Sequence, residues 1–466
     1  MNLKPLVMKF GGTSVEDAGA FERVSRIVYS RRESLPVVVV SAMSKVTDAL
    51  LTSAQRSVEG ELDAARDSIE EHFKRHLTVA ETLLSASERV KFESLIEETR
   101  SNVATLLRAI REQRPSFAPL QDTLLSIGET LSASLLAAVL REEGLPARFV
   151  DARQCIVTDQ AFGRAAPLME ETEQKTRALI QPLLDSSELP VMGGFIASTA
   201  SGETTTLGRG GSDFTAAIVG ACLHAQEIQI WTDVPGVMTA DPRIVRGAHT
   251  IPRLSYAEAS ELAYFGAKVL HPKTILPAVE RSIPVRICDS RNVEAQGTVV
   301  YFDAGPTPRT VKAIAHKMGV HILSVTSARM LGAYGFLRAI FSVFERHRTI
   351  IDVVTTSEVS VSISLDDTDA LDAIVRDLQE VGEVKVERGR AIICVVGEGL
   401  RNTSGIAGRL FNTIRDINVL LISQGASSIN LTFVIEEERA AEAVRRLHAA
   451  FFEHAAEETL SHAGGH

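Results

Sequence analysis

Short runs of apolar, often β-branched residues alternate along the chain with long helical patterns. The apolar runs cover residues 6–10, 36–40, 189–195, 227–232 and 283–289. The helical patterns cover residues 53–80, 87–113, 123–143 and 169–184. Continuous apolar strands are typical of a sheet buried on both faces, and their alternation with helices predicts a mostly parallel α/β sheet. Ligands of such sheets bind beyond the carboxyl ends of the strands, so we expect the functional loops to follow strands.

A different pattern begins after the segment AGPTPR at 304–309, which is typical of a linker. Residues 321–327 and 358–366 align without a gap with residues 391–397 and 428–436, at a constant offset of 70 residues. The offset also pairs Gly335 with Gly405, each ahead of a predicted helix. Each copy is expected to read strand, helix, strand, strand, helix, strand, which predicts two ferredoxin-like α+β modules. Chance similarity between two amphipathic segments is the alternative.

The chain length allows several domains. With 466 residues, of which 45% are hydrophobic, about three domains are expected. Together with the two patterns, this length predicts an α/β domain over residues 1–303, a linker over 304–311, modules over 312–385 and 386–460, and a polar tail over 461–466.

Charge and cysteine content argue against several classes of protein. The chain has 49 Lys and Arg against 59 Asp and Glu, a net charge of −10, whereas a nucleic-acid or membrane-surface binder needs a basic face. The four cysteines form no CxxC pair, so neither a disulfide framework nor a zinc site is expected. No apolar run approaches the roughly 18 residues of a membrane span, and Lys4 and Lys9 lie where a secretion signal is apolar. The expected compartment is the cytoplasm.

Two glycine-rich segments are candidate phosphate-binding loops. In the first, a predicted strand leads through Lys9 into Gly11 and Gly12, and Thr13 or Ser14 is placed to cap a helix. Glycines let the backbone approach an anion closely and Lys9 supplies positive charge, but a glycine turn with a solvated lysine fits equally well.

The second glycine-rich segment, TTTLGRGGSD at 204–213, directly precedes an apolar helix. Its glycines, hydroxyl groups and helix N-terminus suit a polyphosphate, and Arg209 adds positive charge. A flexible loop in which Ser212 or Asp213 caps the helix is the alternative, although flexibility alone gives no reason for an arginine among glycines.

Other candidates follow strands or lie in apolar surroundings. Asp233 and Arg243 suit a ribose, a metal-bound water or a phosphate, but turns alone also explain the segment 231–243. Lys268 lies near a predicted helix end, where a solvated lysine is the simpler interpretation. Glu129 adjoins an apolar helical stripe; it either faces the interior, where an ammonium or arginine is the expected partner, or is exposed. The hydroxyl-rich loop 41–47 fits either a ligand or a plain helix entry.

Taken in order, these segments resemble the aspartate kinases, and the resemblance covers essentially the whole chain. The matching segments are KFGGTSV (9–15), SAMSKVT (41–47), LLSIGE (124–129), FGR (162–164), GGF (193–195), TTTLGRGGSD (204–213), WTDVPGVMTADPR (231–243), FGAKVLHP (265–272) and SEVSVSISL (357–365). The sequence departs from the family at Ser44, where many relatives have Gly, and at Met238, a position that is often aromatic.

The resemblance implies an amino-acid-kinase α/β/α domain followed by two ACT modules. It also implies that MgATP phosphorylates the side-chain carboxylate of L-aspartate to give 4-phospho-L-aspartate, with ATP and Mg²⁺ required and no metal ligands supplied by the chain. The implied catalytic residues are Lys9, which bridges the transferring phosphoryl group, and Asp213, which holds Lys9. The implied substrate-binding residues are Thr47, Glu129, Arg209, Gly210, Gly211 and Ser212, with Glu129 on the ammonium group and Arg209 on the α-carboxylate. The implied ATP-binding residues are Lys9, Phe10, Gly11, Gly12, Thr232, Asp233, Met238, Arg243, Lys268 and Val269.

The residue types agree with this chemistry. Phosphoryl transfer depends on positioning and on neutralising negative charge, which lysine, arginine, Mg²⁺ and backbone N–H groups provide. A carboxylate nucleophile needs no general base, so the lack of an evident catalytic histidine is expected.

The resemblance further implies regulation by an end-product amino acid, with lysine as the expected effector because TTSEVSVSISL is most similar to the lysine-sensitive, single-function branch. The implied effector-binding residues are Met330, Gly335, Phe336, Leu337, Asp352, Thr356, Ser357 and Glu358. Binding at an interface between ACT modules implies a homodimer, with a tetramer as the alternative. Two other functions remain to be distinguished: an amino-acid kinase for glutamate, N-acetylglutamate or a nucleoside monophosphate, and a catalytically silent amino-acid sensor.

Overall fold

The computed structural model describes residues 4–113, 117–266, 270–303, 305, 310–331, 334–366, 369–425 and 427–453. The chain divides into two compact units. The first contains the described residues of Met1–Val237, Pro252–Tyr256 and Val269–Ala304, and the second those of Met238–Ile251, Ala257–Lys268 and Gly305–His466. Residues 238–251 and 257–268, which fall within the domain predicted over 1–303, therefore belong to the second unit.

The first unit is an α/β structure. Its strands are β1 (Leu6–Phe10), β2 (Pro36–Val40), β3 (Ala147–Val150), β4 (Val157–Thr158), β5 (Leu189–Gly193), β6 (Ile196–Thr199), β7 (Thr204–Thr206), β8 (Glu227–Thr232), β9 (Arg253–Ser255), β10 (Val285–Asp289) and β11 (Thr298–Tyr301). Its helices are α1 (Ala18–Ser30), α2 (Val46–Glu59), α3 (Leu62–Leu83), α4 (Ala86–Glu112), α5 (Ala118–Glu142), α6 (Met169–Asp185), α7 (Gly211–Leu223) and α9 (Pro272–Glu280), whereas α8 (Tyr256–Tyr264) begins here and continues in the second unit.

The central sheet has eight strands in the order β3-β5-β2-β1-β8-β10-β11-β9. The six strands from β3 to β10 are all parallel, and β11 pairs antiparallel with β10. Met8 and Phe10 contribute to a core shared with α1 and α5, while α7 packs against β1, β2 and β8. Because side chains alternate along a strand, Lys9 points to the opposite face from Met8 and Phe10. A smaller sheet, β4-β6-β7, adjoins these elements.

One helical prediction misses a break. The pattern over residues 53–80 is divided between α2 and α3, because Gly60 has a φ of +97° and donates its N–H to Arg56 and Ser57 carbonyls at the end of α2. This left-handed geometry favours glycine and ends the helix. The patterns at 87–113, 123–143 and 169–184 agree with α4, α5 and α6.

Helix α5 is an exception to the expectation that the chain contains no apolar run as long as a membrane span. By length and composition Ala118–Glu142 is apolar enough to cross a membrane, although no such run was expected from the sequence. In the structure 78% of its most apolar window is buried inside the protein. The helix is apolar because it forms the centre of the first unit.

The second unit contains a six-stranded sheet in the order β13-β14-β12-β15-β17-β16. Its strands are β12 (Ala313–Thr326), β13 (Val354–Thr356), β14 (Ser360–Leu365), β15 (Glu383–Val396), β16 (Leu421–Gln424) and β17 (Asn430–Glu436). Its helices are α10 (Phe336–Arg346), α11 (Leu371–Gln379), α12 (Ile406–Thr413) and α13 (Ala440–His448). The starts of β12 and β15 are separated by the 70-residue offset, and Gly335 and Gly405 have similar φ angles of +81° and +79°.

The two modules share their longest strands. Residues 320–326 of β12 pair with residues 383–390 of β15, whereas residues 313–317 of β12 pair with residues 392–396 of β15. The strand that completes the second module therefore comes from the start of β12, before the first module in the chain. The predicted ranges 312–385 and 386–460 give the order of the repeats but not these interleaved units.

Candidate active site

A cavity of about 650 Å³ lies at the carboxyl edge of the central sheet in the first unit. The loops that follow β1 and β2, one face of α5, and the loop between β7 and α7 all contribute to its lining. Parallel strands place these loops at one edge, as expected from the alternating pattern. Residues from segments predicted separately, Lys9, Thr47, Glu129, Arg209 and Asp213, all line this one cavity.

Lys9 and Asp213 form an ion pair in the cavity. Lys9 Nζ lies 2.6 Å from Asp213 Oδ1, and the two side chains are only 11% and 16% exposed. Lys9 is the penultimate residue of β1, and Asp213 lies in the first turn of α7. Asp213 thus orients the lysine ammonium group without displacing it from the cavity.

The glycine pair after β1 has a packing role. A Cβ on Gly12 would lie 2.9 Å from the Ala42 carbonyl oxygen, and the Gly12 carbonyl accepts a hydrogen bond from Ser44 N at 3.1 Å. Gly11 N donates to the Trp231 carbonyl at 3.2 Å, so this amide is not free for a phosphate. The pair brings the loops after β1 and β2 into direct contact.

The second glycine loop has a defined conformation. Gly208 and Gly210 each have a φ of +74°, a region that favours glycine. A Cβ on Gly211 would lie 2.6 Å from Phe195 Cδ2. The glycines therefore allow a tight turn into α7. A loop that is merely flexible would not require these backbone angles or this close packing.

Two charged groups that line the cavity, Arg209 and Glu129, have hydrogen-bonding capacity that the described residues leave unused. Arg209 is exposed and forms no hydrogen bond or ion pair with the described residues. Glu129 is 3% exposed, and its Oε2 has no hydrogen-bond partner among the described residues. Burial raises the pKa of Glu129 to about 8, although a hydrogen bond from the Ala42 backbone opposes the shift. Such a carboxylate favours a cationic ligand group.

The loop between β2 and α2 brings Thr47 to the cavity. Lys45, which also lines the cavity, has a φ of +68°, uncommon for a residue with a side chain. Arg75 of α3 bonds to this loop: its guanidinium donates to the Ser44 carbonyl at 2.9 Å and to the Glu16 carbonyl at 3.0 Å. Arg75 could not be identified from the sequence, because its partners are backbone atoms 31 and 59 residues away.

Comparison with known proteins assigns the family. A model of the Amino acid kinase family matches residues 4–289. The lysine-sensitive aspartokinase 3 of Escherichia coli is 36% identical over 96% of this chain and 99% of that protein. The chain belongs to the aspartokinase family. The predicted α/β kinase domain and the predicted enzyme class are thereby confirmed.

Other comparisons agree with this assignment. The chloroplastic aspartokinase 3 of Arabidopsis thaliana is 38% identical over 96% of this chain and 81% of that protein. Two crystal structures of E. coli aspartokinase III each cover 96% of this chain: the complex with lysine and aspartate, at 37% identity over 99% of that chain, has a TM-score of 0.83, and the complex with aspartate and ADP, at 36% identity over all of that chain, has 0.80. An ACT domain model matches residues 393–451, within the second module.

The ATP-binding residues implied by the aspartokinase resemblance are divided between the two units, and two of them lie outside the described residues. Thr232 ends β8 and Asp233 follows it, beside the end of β1; the Thr232 carbonyl accepts hydrogen bonds from Ser290 N and Oγ at 2.8 and 2.9 Å. Phe10 is fully buried and stacks on Trp231, so its side chain supports the sheet. Met238 and Arg243 belong to the second unit, where Arg243 pairs with Asp241 at 2.7 Å and is 87% exposed. Lys268 and Val269 lie outside the described residues.

The implied effector residues of this aspartokinase lie on the first module of the second unit. Met330 ends a short 3₁₀ helix, Gly335 caps α10, and Phe336 and Leu337 begin that helix. The remaining four lie in or beside the β13–β14 hairpin: Asp352, Thr356, Ser357 and Glu358.

Asp352 has the most elaborate contacts of these effector residues. Its side chain is 1% exposed, and its Oδ1 lies 2.8 Å from Lys317 Nζ and accepts a hydrogen bond from Tyr264 Oη at 2.6 Å. Its Oδ2 has no partner among the described residues. Burial and the hydrogen bond to Asp352 raise the pKa of Tyr264.

Asp122 is a cavity residue that the sequence analysis missed. It lines the cavity from α5 and is 1% exposed, and burial raises its pKa. Asp122 precedes Glu129 by seven residues, so the two lie on the same side of α5. This spacing, which also includes the cavity-lining Leu125, is the signal that would have identified it.

Proposed function

We propose that the chain transfers the γ-phosphoryl group of MgATP to the side-chain carboxylate of L-aspartate, giving 4-phospho-L-aspartate for lysine, threonine and methionine synthesis. The observation that carries the proposal is the cavity itself, in which the Lys9–Asp213 pair is accompanied by the buried Glu129 and by Arg209, which has no partner in the described part of the chain. A zwitterionic amino acid carries an ammonium group and a carboxylate, which are the oppositely charged partners that Glu129 and Arg209 need.

Glu129 and Arg209 are proposed to bind the two α-substituents of aspartate. The ammonium group supplies a cation to the carboxylate of Glu129, which favours its ionised form. The α-carboxylate supplies an anion to the exposed guanidinium of Arg209, which is able to bind it with two parallel hydrogen bonds. Thr47, Gly210, Gly211 and Ser212, all of which line the same cavity, complete the proposed substrate site. The side-chain carboxylate of aspartate is then left free to react.

Lys9 is proposed to bind the transferring phosphoryl group. Its ammonium group, oriented by Asp213, neutralises the charge that builds up on the phosphoryl oxygens, and this is the main form of catalysis available to phosphoryl transfer. The attacking carboxylate is already ionised at neutral pH and needs no general base. No proton has to be removed in the reaction.

Mg²⁺ is proposed to enter with ATP as part of the substrate. The described residues contain no group of three or more His, Cys, Asp or Glu side chains placed to hold a metal ion. Mg²⁺ retains waters and is usually bound through substrate phosphates with one or two carboxylates. The ADP complex of E. coli aspartokinase III supports adenine nucleotide as the phosphoryl donor. Thr232 and Asp233 are the proposed nucleotide contacts in the first unit, and Met238, Arg243, Lys268 and Val269 stay predictions from sequence.

Lysine is the proposed effector, and the first module its site. A lysine-sensitive relative and a relative solved with bound lysine support this assignment. Asp352 is buried and its Oδ2 has no partner among the residues that the structure describes, so it suits a ligand ammonium group. A homodimer formed through the ACT modules and a cytoplasmic location complete the proposal.

A hydroxamate assay tests the proposed reaction, because hydroxylamine traps the acyl phosphate that forms. Aspartate and glutamate are assayed in parallel with MgATP, with and without lysine. Turnover of aspartate, inhibited by lysine, is expected. Turnover of glutamate alone identifies a different amino-acid kinase, and lysine binding without turnover identifies a silent sensor; either result overturns the proposal.

A further inference from the structure

We infer that Asp122 is a positioning residue that fixes the distance between the two groups that recognise the substrate amino acid, and thereby favours aspartate over glutamate. The inference rests on the proposed function and adds a residue to which no role has been assigned.

The carboxylate of Asp122 accepts three hydrogen bonds from outside its own helix. Oδ2 accepts from Gly163 N and from Thr206 N, both at 2.8 Å, and Oδ1 accepts from Thr206 Oγ1 at 3.0 Å. The donors are 41 and 84 residues away in the chain. Three bonds to one buried carboxylate tie β7 and the turn at 162–164 to α5.

These bonds connect the two recognition groups. Glu129 lies on α5 itself, two helical turns beyond Asp122. Thr206 ends β7 and is followed after two residues by Arg209. The turn at 162–164 supports the same loop, because a Cβ on Gly208 would lie 3.3 Å from the Gly163 carbonyl oxygen. Asp122 is therefore the shared acceptor through which the helix bearing Glu129 holds the loop bearing Arg209.

The distance between these groups determines where the substrate side chain ends. The ammonium and α-carboxylate groups are attached to the same carbon, so fixing both fixes the direction of the side chain. Glutamate has one more methylene group, which moves its terminal carboxylate by roughly one C–C bond, ~1.5 Å. A misplacement of about 1 Å at a reacting centre costs about a hundredfold in rate. A rigid connection between α5 and the Arg209 loop thus excludes the longer substrate.

Two alternatives are separable by experiment. In the first alternative, the charge of Asp122, which lines the cavity, contacts the substrate ammonium group directly. In the second, its hydrogen bonds serve only the general stability of the unit. Asparagine distinguishes a charge from a set of hydrogen bonds: its amide oxygen is able to accept both backbone N–H groups, and its NH₂ group is able to donate to Thr206 Oγ1.

The test compares Asp122→Ala, Asp122→Asn and Thr206→Val in the full chain. The kcat and KM are measured for aspartate, glutamate and ATP, and ADP binding is measured by calorimetry. For Asp122→Ala we expect kcat/KM for aspartate to fall by about ten- to a hundredfold, KM for ATP to change by less than about twofold, and the preference for aspartate over glutamate to decrease. For Asp122→Asn the loss should be at least about fivefold smaller than for alanine.

The outcomes separate this inference from the proposed function. Wild-type protein that fails to phosphorylate aspartate overturns both. If the wild-type protein is active, two results for Asp122→Ala overturn the inference alone. One is an unchanged preference for aspartate over glutamate, and the other is a KM for aspartate and a KM for ATP that rise together. An asparagine variant as impaired as the alanine variant shows that the charge contacts the substrate and also overturns it. If Asp122→Ala does not fold, Thr206→Val, which removes only one of the bonds, is expected to raise KM for aspartate a few-fold without changing ADP affinity, and an unchanged KM for aspartate overturns the inference.

Discussion

Lys9 Nζ and Asp213 Oδ1 lie 2.6 Å apart, although their residues are separated by most of the first unit in sequence. Lys9 is at the end of β1 and Asp213 at the start of α7, which packs on the face of the sheet opposite to Met8 and Phe10. Alternation along β1 turns Lys9 toward α7. The carboxyl edge of a parallel sheet is where a strand end and a helix start meet, so the pair is a direct consequence of the fold.

Replacing Lys9 with Ala is expected to lower kcat by about a hundred- to a thousandfold, because the transferring phosphoryl group loses its cationic partner. The fold should be retained, since Asp213 is the only ion-pair partner of this side chain among the described residues. Steady-state kinetics and circular dichroism measure the two effects. Lys4→Ala is the control, because Lys4 is an exposed lysine just before the same strand. Near-normal turnover of Lys9→Ala would refute the proposed role.

Aspartate binding is expected to depend on pH through Glu129. Without ligand the pKa of this buried carboxyl is about 8, above the ordinary glutamate value of 4.5, so the carboxyl is largely protonated at pH 7. Binding of an ammonium group favours the ionised form and releases a proton. The KM for aspartate should therefore fall as pH rises toward 8, by up to about tenfold per pH unit, and then level off. Calorimetry in buffers of different ionisation enthalpy detects the released proton. A KM that is constant from pH 6 to 8 contradicts this prediction.

The same pKa predicts an effect on stability. Because the folded-state pKa of Glu129 is raised, the unfolded chain loses this proton near pH 4.5 and the folded protein only near pH 8, so stability decreases as pH rises between these values. Glu129→Gln removes the titration and should raise the melting temperature of the unliganded protein at pH 8 more than at pH 5. An equal change at both pH values would show that Glu129 does not titrate as proposed.

Functional groups whose chemistry is local can be predicted from this sequence, whereas groups defined by distant partners cannot. Lys9 beside a glycine pair and Arg209 among glycines each stand out within a few residues, and the alternating strands placed both at one edge of a sheet. Asp122 and Arg75 look ordinary in their helices, because their partners are backbone groups tens of residues away. The interleaving of β12 and β15 was likewise missed, since a repeat with constant offset does not show which strand completes a module.

Arg75 is expected to hold the loop that contains Lys45. The left-handed backbone of Lys45 costs about 1 kcal/mol relative to glycine, and Arg75 binds the carbonyl of the preceding residue, Ser44. Arg75→Ala should raise KM for aspartate by about three- to tenfold with little change in KM for ATP. Lys45→Gly removes the backbone strain, so the Arg75→Ala effect should be smaller in a Lys45→Gly background. An equal effect in both backgrounds shows that Arg75 does not act on this strain.

The buried pair of Lys312 and Glu258 is expected to be the most sensitive ion pair of the second unit. Lys312 Nζ lies 2.7 Å from Glu258 Oε2, and the side chains are 5% and 0% exposed. Lys312→Met removes the ammonium partner of a buried carboxylate, a change that typically costs about 3–5 kcal/mol of unfolding free energy, whereas the double variant with Glu258→Leu should regain part of the loss. Urea unfolding, monitored through the transition of the second unit, measures the free energy of unfolding of the single and the double variant. Lys385→Met is the matched control, because Lys385 is 74% exposed and its pair with Glu387 should contribute less than about 1 kcal/mol. If Lys312→Met destabilises the unit no more than Lys385→Met does, the pair is not what holds Glu258 in the interior.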